Sequence, residues 1–186
     1  MKIAEKRVWT YKDYLKIRDD KRYEIIEGEI QVAPAPTTLH QAVLMTLYKM
    51  MDGNLKDGII LIAPVDVVLS EKNVVQPDIV VVSKERKDII EERGIFGSPD
   101  LVVEIVSPGS FERDTEIKRE LYARHGIEEY WIVFPKEELV EVLALSEDRY
   151  TLLVSSERSE KICSHVFKGL CIDSKELFEN AKKYFK

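Results

Sequence analysis

The chain has 186 residues, 45% of them hydrophobic and 33% charged, with a formal net charge of -6. That length suits one domain with its own core, and the composition excludes a disordered or collagen-like chain. No apolar run approaches the roughly 20 residues of a bilayer span, and the acidic balance speaks against a large nonspecific polyanion-binding face while leaving a local basic cleft open. Residues 1–7 carry no signal-peptide apolar segment, so a cytoplasmic protein without membrane contact is expected. In chain order, Thr10 is placed to cap a short helix, with Asp13 in its first turn and Tyr14, Leu15 and Ile17 as its apolar side. Tyr23-Glu24-Ile25-Ile26 and Glu29-Ile30-Gln31-Val32 flank Glu27-Gly28 and read as a hairpin. A helix is expected over 37–51, where Leu39, Val43, Leu47, Met50 and Met51 recur at helical spacing and Gly53 is a natural stop.

Strands follow over 59–63 and 65–69, split by Pro64, and over 75–82, carrying Gln76-Pro77-Asp78 near its start. The charged stretch 83–93 reads as a surface helix or loop. Leu101-Val102-Val103-Glu104-Ile105-Val106, bounded by Pro99 and Pro108, has the composition of a buried central strand. A helix over 114–124 ends at Gly126, and Tyr130-Trp131-Ile132-Val133-Phe134 is a core strand. Residues 139–145 and 150–154 suggest a meander, and 174–185 a terminal helix capped by Ser174, with Leu177, Phe178 and Tyr184 facing inward. The two cysteines, Cys163 and Cys171, are expected as free thiols in a reducing compartment. Strands and helices mix without regular alternation, which points to an α+β or mixed α/β sheet.

The chemistry starts from Glu104. A carboxylate in the middle of an apolar strand is costly to bury unless a cation, a donor set or water compensates it. Alternate residues of a strand share a face, so Asp78 lies on the side of Val80 and Val82, and Glu104 on the side of Val102 and Val106. Neighbouring strands would bring both acids to one edge. Two carboxylates without a histidine cluster suit a hard cation such as Mg²⁺, with Mn²⁺ as a substitute. Lys118, one helix further on, could orient the attacking water or steady developing negative charge. Together these parts make a phosphodiester hydrolase. The plain alternatives are a turn-capping Asp78, a Glu104 paired with an arginine, and an exposed Asp114–Lys118 pair one helical turn apart. His40, His125 and His165 are scattered without metal-ligand spacing, and no Gly-x-Ser-x-Gly or phosphate-binding glycine loop occurs.

Gln-Pro-Asp before an apolar strand, then Ser-Pro-Asp-Leu-Val-Val-Glu-Ile-Val-Ser-Pro, Arg113-Asp114, Lys118, Leu121-Tyr122-Ala123 and Glu129-Tyr130-Trp131-Ile132-Val133 occur in this order. In these motifs the chain resembles the Uma-two family of restriction endonucleases, within the PD-(D/E)XK nuclease superfamily. Trp9-Thr10-Tyr11-Lys12-Asp13-Tyr14, the stretch from Arg22 to Glu29, and Phe167-Lys168-Gly169-Leu170 extend the likeness towards both ends. The resemblance implies a restriction-endonuclease-like domain over 1–186: a mixed sheet flanked by helices with a divalent metal at one edge. It implies Asp78 and Glu104 as metal ligands, the Ile105 carbonyl as a further one, and hydrolysis of DNA to a 5′-phosphate, with a homodimer as the expected assembly. The lysine usually two residues after the glutamate is Val106 here, and Lys118 on the following helix takes its place. Glu24 is a candidate accessory acid, because related nucleases use one near the N-terminus. His40, Arg113 and Asp114 are candidates to assist, Arg113 by touching a phosphate. Two other functions stay open: a non-catalytic binding or assembly module of the same fold, and a hydrolase of RNA or nucleotides.

Overall fold

Strand β9, Leu101–Ile105, is buried along its whole length in the computed structural model, which describes residues 7–157 and 159–185. Of the residues read for a leader, 1–7, only Arg7 lies within the described part. The chain runs α1 (Tyr11–Tyr14), β1 (Arg22–Ile26), β2 (Glu29–Ala33), α2 (Thr38–Asn54), β3 (Gly58–Ile62), β4 (Val67–Ser70), β5 (Asn73–Val75) and β6 (Ile79–Ser83). It continues through β7 (Ile90–Glu91), β8 (Gly94–Phe96), β9, α3 (Lys118–Arg124), β10 (Glu129–Phe134), β11 (Leu139–Ser146) and β12 (Arg149–Ser155). The hairpin β13 (Lys161–Cys163) and β14 (Cys171–Asp173) and helix α4 (Ser174–Lys182) close it. The larger sheet has the order β12-β11-β10-β9-β6-β3, with β9 parallel to β10 and antiparallel to β6. A second sheet has the order β2-β1-β5-β4-β8-β7. This is the α+β architecture expected from the sequence.

Period-two alternation sorts the core strands onto two faces. Ile79, Val81, Leu101, Val103, Ile105, Trp131 and Val133 pack against α2, α4 and the β13–β14 hairpin. Val80, Val82, Val102, Tyr130 and Ile132 pack on the other face against α3 and residues of the second sheet. Glu104 shares the parity of Val102 and therefore enters this second core. No helix among the described residues is long and apolar enough to cross a membrane.

Several local readings need correction. The stretch 75–82 is two strands in two sheets, because Pro77 cannot donate to a ladder and breaks it. Helix α2 runs through Gly53 to a cap at Leu55; Gly53 has no close neighbours, and the tertiary packing of the helix overrides its weak propensity. The cap of α4 is Asp173, whose carboxylate accepts from Glu176 N–H, and Ser174 is the first helical residue. Tyr184 lies past the helix end and is exposed, and α1 buries no residue, so Leu15 and Ile17 do not form a core face. Tyr14 instead donates its hydroxyl to Asp66. The hairpin reading holds: Glu27 and Gly28 both have positive φ (52° and 77°), the two-residue turn whose twist suits a tight hairpin.

The cysteines are the other correction. Cys163 and Cys171 face each other in the β13–β14 register, their Cα atoms 4.0 Å apart, and form a disulfide. Spacing along the chain could not show that a hairpin aligns them. The loop they close contains Ser164, His165 and Val166, all of which donate to the buried carboxylate of Glu129, whose other oxygen accepts from Trp131. Closing so short a loop stabilises the fold by about 2 kcal/mol. Reduction, or the double change Cys163→Ser with Cys171→Ser, is expected to lower the melting temperature by roughly 4–8 °C in a chain of this size. A melt that dithiothreitol leaves unmoved would contradict this.

Candidate active site

Three elements meet at one end of the second core. Glu24 comes from β1, on the side that Ile26 turns into that core. Glu104 comes from β9, and Lys118 and Tyr122 from consecutive turns of α3. Asp78 stands just ahead of β6, and His40 in the first turn of α2. The helical run leading into α3 has one wide turn, Arg113–Ile117, in which Lys118 N–H bonds five residues back to Arg113. Such π-turns concentrate at functional sites. The partly open cavity these residues line has about 60 Å³ of space for water-sized groups or an ion.

The hydrogen bonds divide each acid in two. Glu104 Oε1 accepts from Lys118 Nζ at 2.9 Å and from Tyr122 Oη at 2.6 Å. Asp78 Oδ2 accepts from Ile105 N–H at 2.8 Å and from His40 Nε2 at 3.0 Å. An ionised carboxylate only accepts, so His40 carries its proton on Nε2 in that bond. Among the described residues no donor reaches Glu104 Oε2 or Asp78 Oδ1, and neither is sealed from solvent. Glu24 Oε1 accepts from Gln76 N–H and from Lys118 Nζ, both at 2.8 Å.

The proline of Gln-Pro-Asp has a direct structural effect. Val106 N–H donates to Val133 and Glu129 N–H to Asp100, so the even-numbered residues of β9 bond towards β10. The N–H and C=O of Ile105 therefore point towards β6. Continuing the β6–β9 register places Pro77 opposite Ile105. Pro77 has no N–H to offer the Ile105 carbonyl, and the Asp78 side chain takes the Ile105 N–H. Ile105 lines the same cavity as both acids.

Four carboxylates, Glu24, Asp78, Glu104 and Asp114, share the cavity lining with three fixed cations, Lys118, Arg113 and Arg22, an excess of one negative charge when all are ionised. Glu24, Glu104, Asp114 and Lys118 are all at least 97% buried. Burial pushes the Glu104 carboxyl well above the ordinary range; Lys118 opposes this, and Asp114, Asp78 and Glu24 reinforce it. Asp114 is raised in the same way. Burial alone would drive Lys118 towards the neutral amine, but Glu104, Glu24 and Asp114 together outweigh it and raise its pKa. The three carboxylates thus favour the charged form of Lys118. Among the described residues four buried side-chain polar atoms lack a hydrogen-bond partner: His40 Nδ1, Gln76 Oε1, Arg113 Nε and Asp114 Oδ1. All four belong to residues lining this cavity. Each such atom costs roughly 1–3 kcal/mol when left unmet. Their concentration here marks a place that water, an ion or substrate groups complete.

Every side chain singled out in the sequence lines this cavity: Glu24, His40, Asp78, Glu104, Arg113, Asp114 and Lys118. The exposed Asp114–Lys118 pair does not occur, since both are buried and 3.9 Å apart. Two participants escaped the sequence reading. Tyr122 stood in a quoted motif without a role and its ring is buried in the core; its spacing of four from Lys118 was the available signal. Gln76, visible in its motif, links Glu24 to Asp66 and Tyr14 through backbone and side-chain bonds.

The donor set suits a divalent cation. Asp78 Oδ1 and Glu104 Oε2 are hard oxygens free of protein donors, in a cavity that Ile105 also lines, and the cluster carries surplus negative charge. No three His, Cys, Asp or Glu side chains among the described residues group as metal ligands. The Ile105 carbonyl is a candidate third donor, and water would fill the remaining positions, as is usual for Mg²⁺.

No curated protein matches this chain. Among solved structures it is similar to one described as "a putative nuclease belonging to DUF820" from Anabaena variabilis ATCC 29413. The identity is 20%, the TM-score 0.74, and the match covers 92% of this chain and 98% of the other, a likeness that shows a shared fold. Residues 10–174 match the family described as "Uma2: Putative restriction endonuclease", and the chain belongs to that family.

Proposed function

We propose that this protein is a Mg²⁺-dependent endonuclease that hydrolyses phosphodiester bonds in nucleic acid, DNA in the first instance. The observation that carries the reading is the division of the two acids. Asp78 and Glu104 each commit one oxygen to protein donors and keep the other free of them, in a cavity that Ile105 also lines. Membership of a family described as restriction endonucleases supports it. Asp78, Glu104 and the Ile105 carbonyl would hold the metal. When bound, it supplies Lewis acidity at a phosphoryl oxygen and a lowered water pKa. Lys118, held between Glu24 and Glu104, orients the attacking water and counters charge developing on the phosphate. Arg113, whose Nε pairs with Glu24 and Asp114 at 3.8 and 3.7 Å, lines the cavity and is the candidate to contact a phosphate oxygen through its other guanidinium N–H groups.

Two measurements test this. Supercoiled plasmid should be nicked or linearised with Mg²⁺ or Mn²⁺, and neither in EDTA nor by Asp78→Ala. At a metal concentration about a hundredfold above Kd, binding stabilises the native state by about 2.7 kcal/mol. The melting temperature should then rise by roughly 5–10 °C. A non-catalytic module predicts neither result. Equal nicking by wild type and Asp78→Ala would trace the activity to a contaminant, and RNA and single-stranded DNA tested alongside identify the preferred substrate.

A further inference from the structure

Tyr122 lies wholly inside the second core, its ring edge-on to Tyr130 with centroids 5.2 Å apart. A tyrosine can fill such a place with its ring alone, and its hydroxyl must then find a partner. Here the partner is Glu104 Oε1, at 2.6 Å, the oxygen that also accepts from Lys118. Two donors from consecutive turns of one helix thus converge on a single oxygen. They fix the carboxylate plane and leave Oε2 as the face turned to the cavity. Lys118 is shared with Glu24, so it cannot by itself dictate which oxygen of Glu104 it holds. The Tyr122 hydroxyl has no other partner and makes that choice.

We infer that Tyr122 is a positioning residue that dedicates Glu104 Oε2 to the divalent cation, so that its hydroxyl governs metal affinity. This rests on the reading of Asp78 and Glu104 as metal ligands. Partners that orient ligating side chains typically contribute about 10–100-fold in metal affinity.

The test is Mn²⁺ affinity of the intact protein by titration calorimetry, without substrate, beside its melting temperature without metal. Tyr122→Phe keeps the ring and is expected to bind Mn²⁺ at least about tenfold more weakly than wild type. Tyr150→Phe is the control: it also loses a buried hydroxyl, one that donates to the Ile127 carbonyl away from Glu104. Its Mn²⁺ affinity should equal that of wild type. If Tyr122→Phe is poorly stable, the rise in its melting temperature with added Mn²⁺, set against its own melt without metal, makes the same comparison and should be smaller than that of wild type. Equal affinity of Tyr122→Phe and wild type overturns the inference and leaves the metal reading intact. Absence of Mn²⁺ binding by wild type overturns the metal reading itself.

Discussion

Glu104→Gln should lower Mg²⁺-dependent plasmid cleavage by about a thousandfold, because a catalytic metal stabilises the transition state by several kcal/mol and each 1.36 kcal/mol is a factor of ten. The substitution is chosen for what it keeps. Glutamine has the shape of glutamate, and its amide oxygen can still accept from Lys118 and Tyr122 where Oε1 now does. Its amide nitrogen then takes the place of Oε2, presenting two hydrogens where a cation needs a lone pair. The fold should tolerate this well, since the change removes a buried carboxylate that burial already pushes towards protonation. The melting temperature without metal should stay within a few degrees of wild type, and the stabilisation by Mg²⁺ should disappear. Asp78→Asn should act in the same direction. Cleavage by Glu104→Gln at near wild-type rates would remove Glu104 from the chemistry.

Much of this site could be read before its geometry was known, for a physical reason. A charge inside an apolar strand has to be compensated, so Glu104 advertised itself, and strand alternation put Asp78 on the matching face. Lys118 followed from the order of motifs along the chain. What could not be read was the division of labour among atoms. Nothing in a sequence tells that Tyr122 and Lys118 share one oxygen of Glu104, or that Glu24 crosses from another sheet to hold the same lysine. Those facts depend on how two sheets and a helix pack, which local pattern does not encode. The 75–82 stretch shows the same limit: its apolar content reads as one strand, while Pro77 divides it between two sheets. The cysteine pair is a further case, since a short hairpin aligned two residues that compartment statistics would have left reduced.

Lys118→Met should be the most damaging single change to the fold, costing about 3–5 kcal/mol, because it leaves Glu24 and Glu104 buried without their common cation. Methionine fills most of the lysine's volume, so the loss is mainly of charge. The pH dependence separates charge from packing. Burial holds the Glu104 carboxyl above the ordinary range, and Lys118 is the foremost influence pulling it down, so its removal raises that pKa further. A carboxyl whose folded pKa exceeds its unfolded value binds more protons in the native state. Its effect is to make stability fall as pH rises from the ordinary carboxylate range through the raised folded pKa. Lys118→Met should therefore be most destabilised near pH 8 and recover part of the loss towards pH 5, where Glu104 becomes protonated and ceases to be an unmatched charge. Wild type should show the smaller slope. Urea unfolding of both proteins at the two pH values measures the difference directly. A deficit of the same size at both would show that the variant suffers from lost packing, and that the ammonium of Lys118 is not what keeps these carboxylates buried.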